Sequence, residues 1–242
     1  MIVHSDSIFS SLKQITGIQL RFRLQYHNPI RPALFWSQTV RGGIGYQMKE
    51  KVCQNLPACK SFCENTPPCL FGRLYNEFSN SKVTRDVKSI VFREPVVTKD
   101  GKKADVSILL FNPEPYVIDE IVRDMYYLTE KGISRKRKFK IEYIQYLDLS
   151  GFFSLEKEGP MSLEESFRYT FQPSDLELKL LTPLCLEKRG KLIMQPTTED
   201  ILLATLRRLQ FLAGKVEPFE PPVEDIPLHY AYESLEMNER TR

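Results

Sequence analysis

The sequence contains no run of about 18 apolar residues, the length a membrane-spanning helix needs, so no membrane partner is expected. Its opening stretch, "MIVHSDSIFSSLKQ", lacks a basic start followed by an apolar core and does not read as a secretory signal, which points to the cytoplasm. Histidine is scarce: His4, His27 and His229 are all there are. That leaves little for histidine-based acid–base chemistry and gives no local partner for a cysteine nucleophile. No carboxylate cluster suggests a two-metal nuclease. Glycine is thin, at 11 of 242 residues, yet Gly42, Gly43 and Gly45 fall almost together. Cysteine is thinner, at five, yet four of the five lie between positions 53 and 69.

What remains is ordinary globular composition, 42% hydrophobic and 27% charged, enough for a packed core. A net charge of +3 says little until the charges are placed. The thiols Cys53, Cys59, Cys63 and Cys69 are spaced C-x5-C-x3-C-x5-C, among Pro57, Pro67 and Pro68. A reducing compartment argues against disulfides. Four thiolates match the tetrahedral preference of structural Zn2+, which would stabilise a loop with too little apolar material for its own core. The alternative is a loop of free or packed thiols. Cys185, in an apolar strand-like run, reads as core.

Hydrophobic periodicity lays out the rest. "IQLRFRLQY" (18–26) alternates, with Ile18, Leu20, Phe22, Leu24 and Tyr26 on one face and Gln19, Arg21, Arg23 and Gln25 on the other, a half-buried strand. "SQTVRGGIGYQMKEKVC" repeats Val40, Ile44, Met48 and Val52 as a helix. Its glycines, costly in an exposed helix, imply a close approach by another element or a phosphate. Two strands, "KSIVFREPVVT" and "KADVSILLF", flank an Asp100-Gly101 turn. A helix follows, with Val117, Ile121, Met125 and Leu128 inward and Gly132 at its end. A last strand, "KFKIEYIQYL", is expected to place Phe139, Ile141, Tyr143 and Gln145 together. The order β-α-β-β-α-β predicts an α+β, ferredoxin-like (RRM-like) domain over 17–148, with the cysteine-rich zinc knuckle 53–69 inserted. Residues 149–214 give a strand or two around "KRG" and a helix capped by Thr197 or Thr198, a truncated or degenerate second ferredoxin-like half. Residues 215–242 form an acidic, proline-rich tail, either a docking strand or disordered.

Positive charge gathers in "GISRKRKFK". Arg135, Lys136, Arg137, Lys138 and Lys140 put five cations in six positions, held between a helix and a strand. A solvated turn is the plain alternative. With Arg21 and Arg23 on the first strand, and Arg41, Lys49 and Lys51 around the glycine-rich helix, the run makes a candidate phosphate-backbone track. If the chain cuts RNA, His27 is the candidate general acid or base, since it opens the loop after the first strand.

Three stretches, taken in order, resemble the CRISPR-associated RAMP proteins, closest to the branch that includes the repeat-processing endoribonucleases. They are "RGGIGYQMKEKVCQNLPACKSFCENTPPCLFGRLYNEF", "LTEKGISRKRKFKIEYI" and "LTPLCLEKRGKLIMQPTTEDILLATLRRLQFL". The resemblance implies CRISPR RNA as ligand, other effector-complex subunits as partners, and two ferredoxin-like domains. Two departures matter. The family's glycine-rich loop keeps Gly132 alone here, and the glycine-rich loop that usually ends the second domain is missing. Both favour a subunit that holds the 5′ handle of a guide RNA and contacts the backbone subunit beside it. Endoribonuclease processing of repeat RNA is the second reading, and a zinc-stabilised protein-interaction module the third.

Overall fold

Strand β1 (Thr16–Tyr26) follows the alternation its sequence prescribes: Ile18, Leu20, Phe22, Leu24 and Tyr26 are buried, while Arg21, Arg23 and Gln25 face away from that core. The structure is a computed structural model that describes residues 13–30, 36–52, 69–75, 89–133, 138–151, 160–167, 186–188, 191–193 and 196–213. After β1 come helix α1 (Trp36–Val52), the short α2 (Leu70–Tyr75), strands β2 (Ile90–Phe92), β3 (Val96–Val97) and β4 (Lys103–Phe111), helix α3 (Pro115–Lys131) and strand β5 (Phe139–Leu147). Strand β6 (Met161–Ser162), helix α4 (Leu163–Phe167), a hairpin of β7 (Leu186–Lys188) and β8 (Lys191–Ile193), and helix α5 (Thr198–Leu212) complete the described elements.

The main sheet is antiparallel and runs β2-β4-β1-β5, with β3 extending the β2 edge along β4 and β6 pairing with the start of β1. This α+β architecture is compatible with the expected ferredoxin-like arrangement. Helices α1 and α3 cover one face. Val40, Ile44 and Met48 from α1 and Val117, Ile121, Met125 and Leu128 from α3 meet the apolar face of β1 and β4 in one core. The glycines of α1 divide by role. A Cβ on Gly43 would lie 3.2 Å from Leu128 of α3, and one on Gly45 would lie 2.8 Å from the Tyr75 ring of α2. Gly42 has open space around it. Two of the three therefore allow close helix packing.

Two strands depart from simple alternation. "KSIVFREPVVT" is not one strand. The ladder breaks at Glu94-Pro95, where proline offers no N–H, and resumes one residue out of step as β3. In β5 the pairing with β1 shifts between Arg23 and Leu24. Phe139 and Ile141 lie opposite Tyr26 and Leu24, and Ile144 opposite Phe22, so the apolar set changes parity along the strand. Tyr143 and Gln145 stand opposite Arg23 and Arg21 on the polar face instead of joining Phe139 and Ile141.

Local signals hold where the chemistry is strong. Gly101 adopts φ 69° in the Asp100-Gly101 turn, and Asp100 Oδ1 accepts from Thr98 Oγ1 at 2.6 Å and from Lys102 N at 3.0 Å. Gly132 ends α3 at φ 81°, its N–H donating to Leu128 O at 2.7 Å. Thr197 caps α5: the Asp200 N–H donates to its hydroxyl at 3.1 Å, and the Thr197 N–H donates back to the Asp200 carboxylate at 3.1 Å. Asn112 ties α5 to the sheet. Its Oδ1 accepts from Thr16 N at 2.8 Å and its Nδ2 donates to Leu212 O at 2.6 Å.

The glycine contrast is measurable by urea unfolding. Gly45→Ala is expected to destabilise the protein by about 1–3 kcal/mol through the clash with Tyr75. Gly42→Ala, at an exposed helical site, is expected to stabilise it by about 0.4–1 kcal/mol.

Candidate nucleic-acid interface

The face of the sheet away from the helices carries the polar half of β1. Each residue there acquires neighbours through the ladder. Arg23 lies opposite Asp105 on β4 and Tyr143 on β5. Its guanidinium forms a two-pronged ion pair with Asp105, the Nη2–Oδ2 arm at 2.6 Å, and stands 5.7 Å from the Tyr143 ring centroid. The hydrogen bond from Arg23 to Asp105 raises the Arg23 pKa against the lowering effect of burial. Arg21 Nη2 donates to Gly151 O at 3.1 Å, where the turn after β5 folds onto the top of this face. Lys103 pairs with Glu142 at 2.6 Å across β1. Tyr143 stays 42% exposed, enough to offer a ring for stacking.

The described members of the sequence-predicted cation set fall on two sides of the sheet. Arg21 and Arg23 lie on the open face, and Arg41, Lys49 and Lys51 lie in the helical layer. Arg41 stands 5.8 Å from the Tyr75 ring centroid and donates to Gln38 Oε1 at 3.4 Å. It borders a hollow of about 270 Å³ between α1 and α2, lined also by Gly42, Tyr46, Lys49, Phe71 and Tyr75. Tyr46 is 57% exposed there, while burial holds the Tyr75 phenol well above its ordinary pKa and hence neutral. Lys51 is committed elsewhere. It pairs with Asp124, which is fully buried on α3, and with Glu120 at 3.2 Å. Burial lowers the Lys51 pKa, but the hydrogen bond and charge of Asp124, and then Glu120, raise it by more.

At the other end of β1 the placements converge. Tyr26 pairs with Phe139, so exposed His27 and exposed Lys138 leave the sheet at the same end, beside Lys102, whose carbonyl accepts from Tyr26 N at 2.8 Å. Arg135, Lys136 and Arg137 lie outside the described residues, as do His4, His229 and Cys185. So do Cys53, Cys59 and Cys63. Cys69 is described. It sits just before α2, partly buried, and its Sγ accepts from Gly72 N at 3.4 Å. Among the described residues no group of three metal-ligating side chains occurs, and no helix is long and apolar enough to cross a membrane.

Arg93 is absent from the sequence-predicted set and belongs to this face. One arginine in a strand carries no motif. Only the β2–β4 register reveals it, because the Arg93 N–H donates to Ser107 O at 2.9 Å and sets Arg93 level with Arg21.

Residues 15–163 match the family model described as AF_1859_N, N-terminal domain. The chain belongs to this family. The match starts one residue before β1 and ends at the first residue of α4, so it takes in the whole main sheet. No curated protein matches. Among solved structures, the chain is similar to one reported as the crystal structure of the Csm3-Csm4 subcomplex in the type III-A CRISPR-Cas interference complex. The identity is 13%, the match covers 55% of this chain and 78% of that one, and the TM-score is 0.41.

The Lys51 pair gives a stability test. Lys51→Ala is expected to cost about 2–3 kcal/mol in urea unfolding, less than the roughly 3–5 for a fully buried pair because Lys51 is about a third exposed. Lys51→Met with Asp124→Leu is expected to recover most of that loss.

Proposed function

We propose that this chain is an RNA-binding subunit of a CRISPR effector complex, which holds the 5′ handle of a guide RNA and contacts the backbone subunit beside it. The observation that carries the RNA reading is the open sheet face. Cations and an exposed tyrosine stand together there, on the side of the sheet away from α1 and α3. The RAMP resemblance of three sequence stretches supplies the guide RNA and the neighbouring subunits. The basic run at 135–138, entering β5 at the His27 end of the sheet, would extend the grip on the phosphate backbone.

The purified chain, incubated with labelled CRISPR repeat RNA in EDTA, is expected to give a tight, salt-sensitive gel shift without cleavage. Arg135→Glu with Arg137→Glu should weaken the shift and flatten its salt dependence. Cleavage at one position that disappears in His27→Ala would replace this reading with repeat processing. A wild-type protein that neither shifts nor cuts the RNA would leave a protein-interaction module.

We also propose that Cys53, Cys59, Cys63 and Cys69 hold a structural Zn2+. The donor set and the N–H directed at the Cys69 sulfur support it. Elemental analysis of protein purified without added metal is expected to find zinc at unit stoichiometry. Cys69→Ser should lower the zinc content and the thermal midpoint together, and a zinc-free protein of unchanged stability would sink the idea.

A further inference from the structure

A row of three side chains crosses the open face. Arg21 on β1 is the ladder partner of Ser107 on β4. On the other side of Ser107, Arg93 prolongs the β2 ladder through its N–H to Ser107 O, at 2.9 Å. Residues opposite one another in a ladder share a face, so Arg21, Ser107 and Arg93 project from the same side. Two strand spacings separate the arginine Cα atoms by about 10 Å. That is a gap two guanidiniums can close over a small serine.

The neighbouring acids are engaged elsewhere. Asp105 gives both oxygens to Arg23. Glu142 pairs with Lys103. The Glu94 carboxylate, next to Arg93 in sequence, accepts from Ser37 N at 3.0 Å at the start of α1. Arg21 meets the carbonyl of Gly151, and among the described residues no carboxylate pairs with Arg21 or Arg93. The Arg93 pKa is lowered, by desolvation first and by the Arg21 charge second. Arg93 is exposed, so its desolvation is partial, and the nearness of the Arg21 charge is the informative part.

We propose that Arg21 and Arg93, with the Ser107 hydroxyl between them, form a cradle for one backbone phosphate of the bound RNA. This rests on the RNA-binding reading above and gives it an atomic anchor. Two guanidinium forks present planar arrays of N–H donors that match phosphate oxygens, and a phosphate between them replaces repulsion with attraction. A phosphate contact fixes position and carries no base information, so the cradle acts alike on every sequence.

The test is fluorescence anisotropy with the full chain, using labelled single-stranded repeat RNA and a scrambled RNA of equal length over a salt series. Arg93→Gln is expected to weaken both RNAs alike, by about 3–10-fold, and to make the slope of log K against log salt shallower by about 0.7, one phosphate's share for a single strand. Arg93→Lys should keep the wild-type slope. The Arg93→Gln melt should fall at or above that of the wild type, since it removes one of two repelling charges. If wild-type protein binds RNA and Arg93→Gln matches it in affinity and slope, the cradle is wrong and RNA binding stands. A loss confined to the repeat sequence, or a lowered melt, would likewise overturn it in favour of a base contact or a structural role. If wild-type protein binds neither RNA, the RNA reading fails and the cradle falls with it.

Discussion

Strand β1 is the constraint on which the rest of this structure depends. It pairs along most of its length with β4 on one side and β5 on the other, so its alternation bears on two neighbouring strands at once. A slip of one residue would drive Arg21 and Arg23 into the helical core and turn Phe22 out to solvent. The apolar half of the strand, from Ile18 to Tyr26, anchors both helices through a single core, and Tyr26 meets the rings of Trp36 and Phe139 at 5.7 Å each. The irregularity in β5 is read against this fixed strand. Because β1 cannot move, β5 absorbs the mismatch, and Tyr143 comes out beside Arg23.

The helical layer is fixed by close packing and by one ion pair. Gly43 lets α1 approach Leu128 of α3, and Gly45 lets Tyr75 of α2 lie against the helix, where it stacks on Phe71 at 5.3 Å. At the C-terminal end of α1, Lys51 reaches the buried Asp124, and Glu120 joins both Lys51 and Arg123. A carboxylate with no exposure, taken from water, costs several kcal/mol unless it is paired. That pair therefore ties the C-terminal end of α1 to α3. Lys51, which reads in sequence as a phosphate ligand, is also the partner of that buried carboxylate.

Legibility in the sequence followed the range of each interaction. The alternation of β1 is written in adjacent residues, and the Asp100-Gly101 turn, the end of α3 at Gly132 and the cap of α5 rest on contacts within a few residues; these four features are all there. What escaped was set by partners far away in sequence. The break at Glu94-Pro95 follows from the ladder with β4, the parity change in β5 from the ladder with β1, and the burial of Asp124 from Lys51, 73 residues earlier. The candidate site divides the same way. Arg21 and Arg23 could be assigned to one face by alternation alone. Their different situations, one held by a carbonyl and the other by a carboxylate, depend on which residue β4 and the turn after β5 place opposite. Arg93 had no local signal at all.

That difference bears on how an interface can be specific in place while nearly neutral in total. A net charge of +3 spread over 242 residues would steer nothing by itself. On the open face, however, Arg23 is cancelled by Asp105 and Lys103 by Glu142, so neither contributes much field beyond its own pair. Cancelling those two leaves Arg21 and Arg93, flanking Ser107, as a pair of cations on this face that no described carboxylate pairs with. The exposed Tyr143 ring lies one ladder step along and on the adjoining strand. Successive strands place a stacking surface and a cationic row side by side, a spacing fixed by backbone hydrogen bonds and independent of any flexible lysine. The ion pairs on this face therefore silence their own cations, which in the proposed cradle would leave one register on the sheet for an anion.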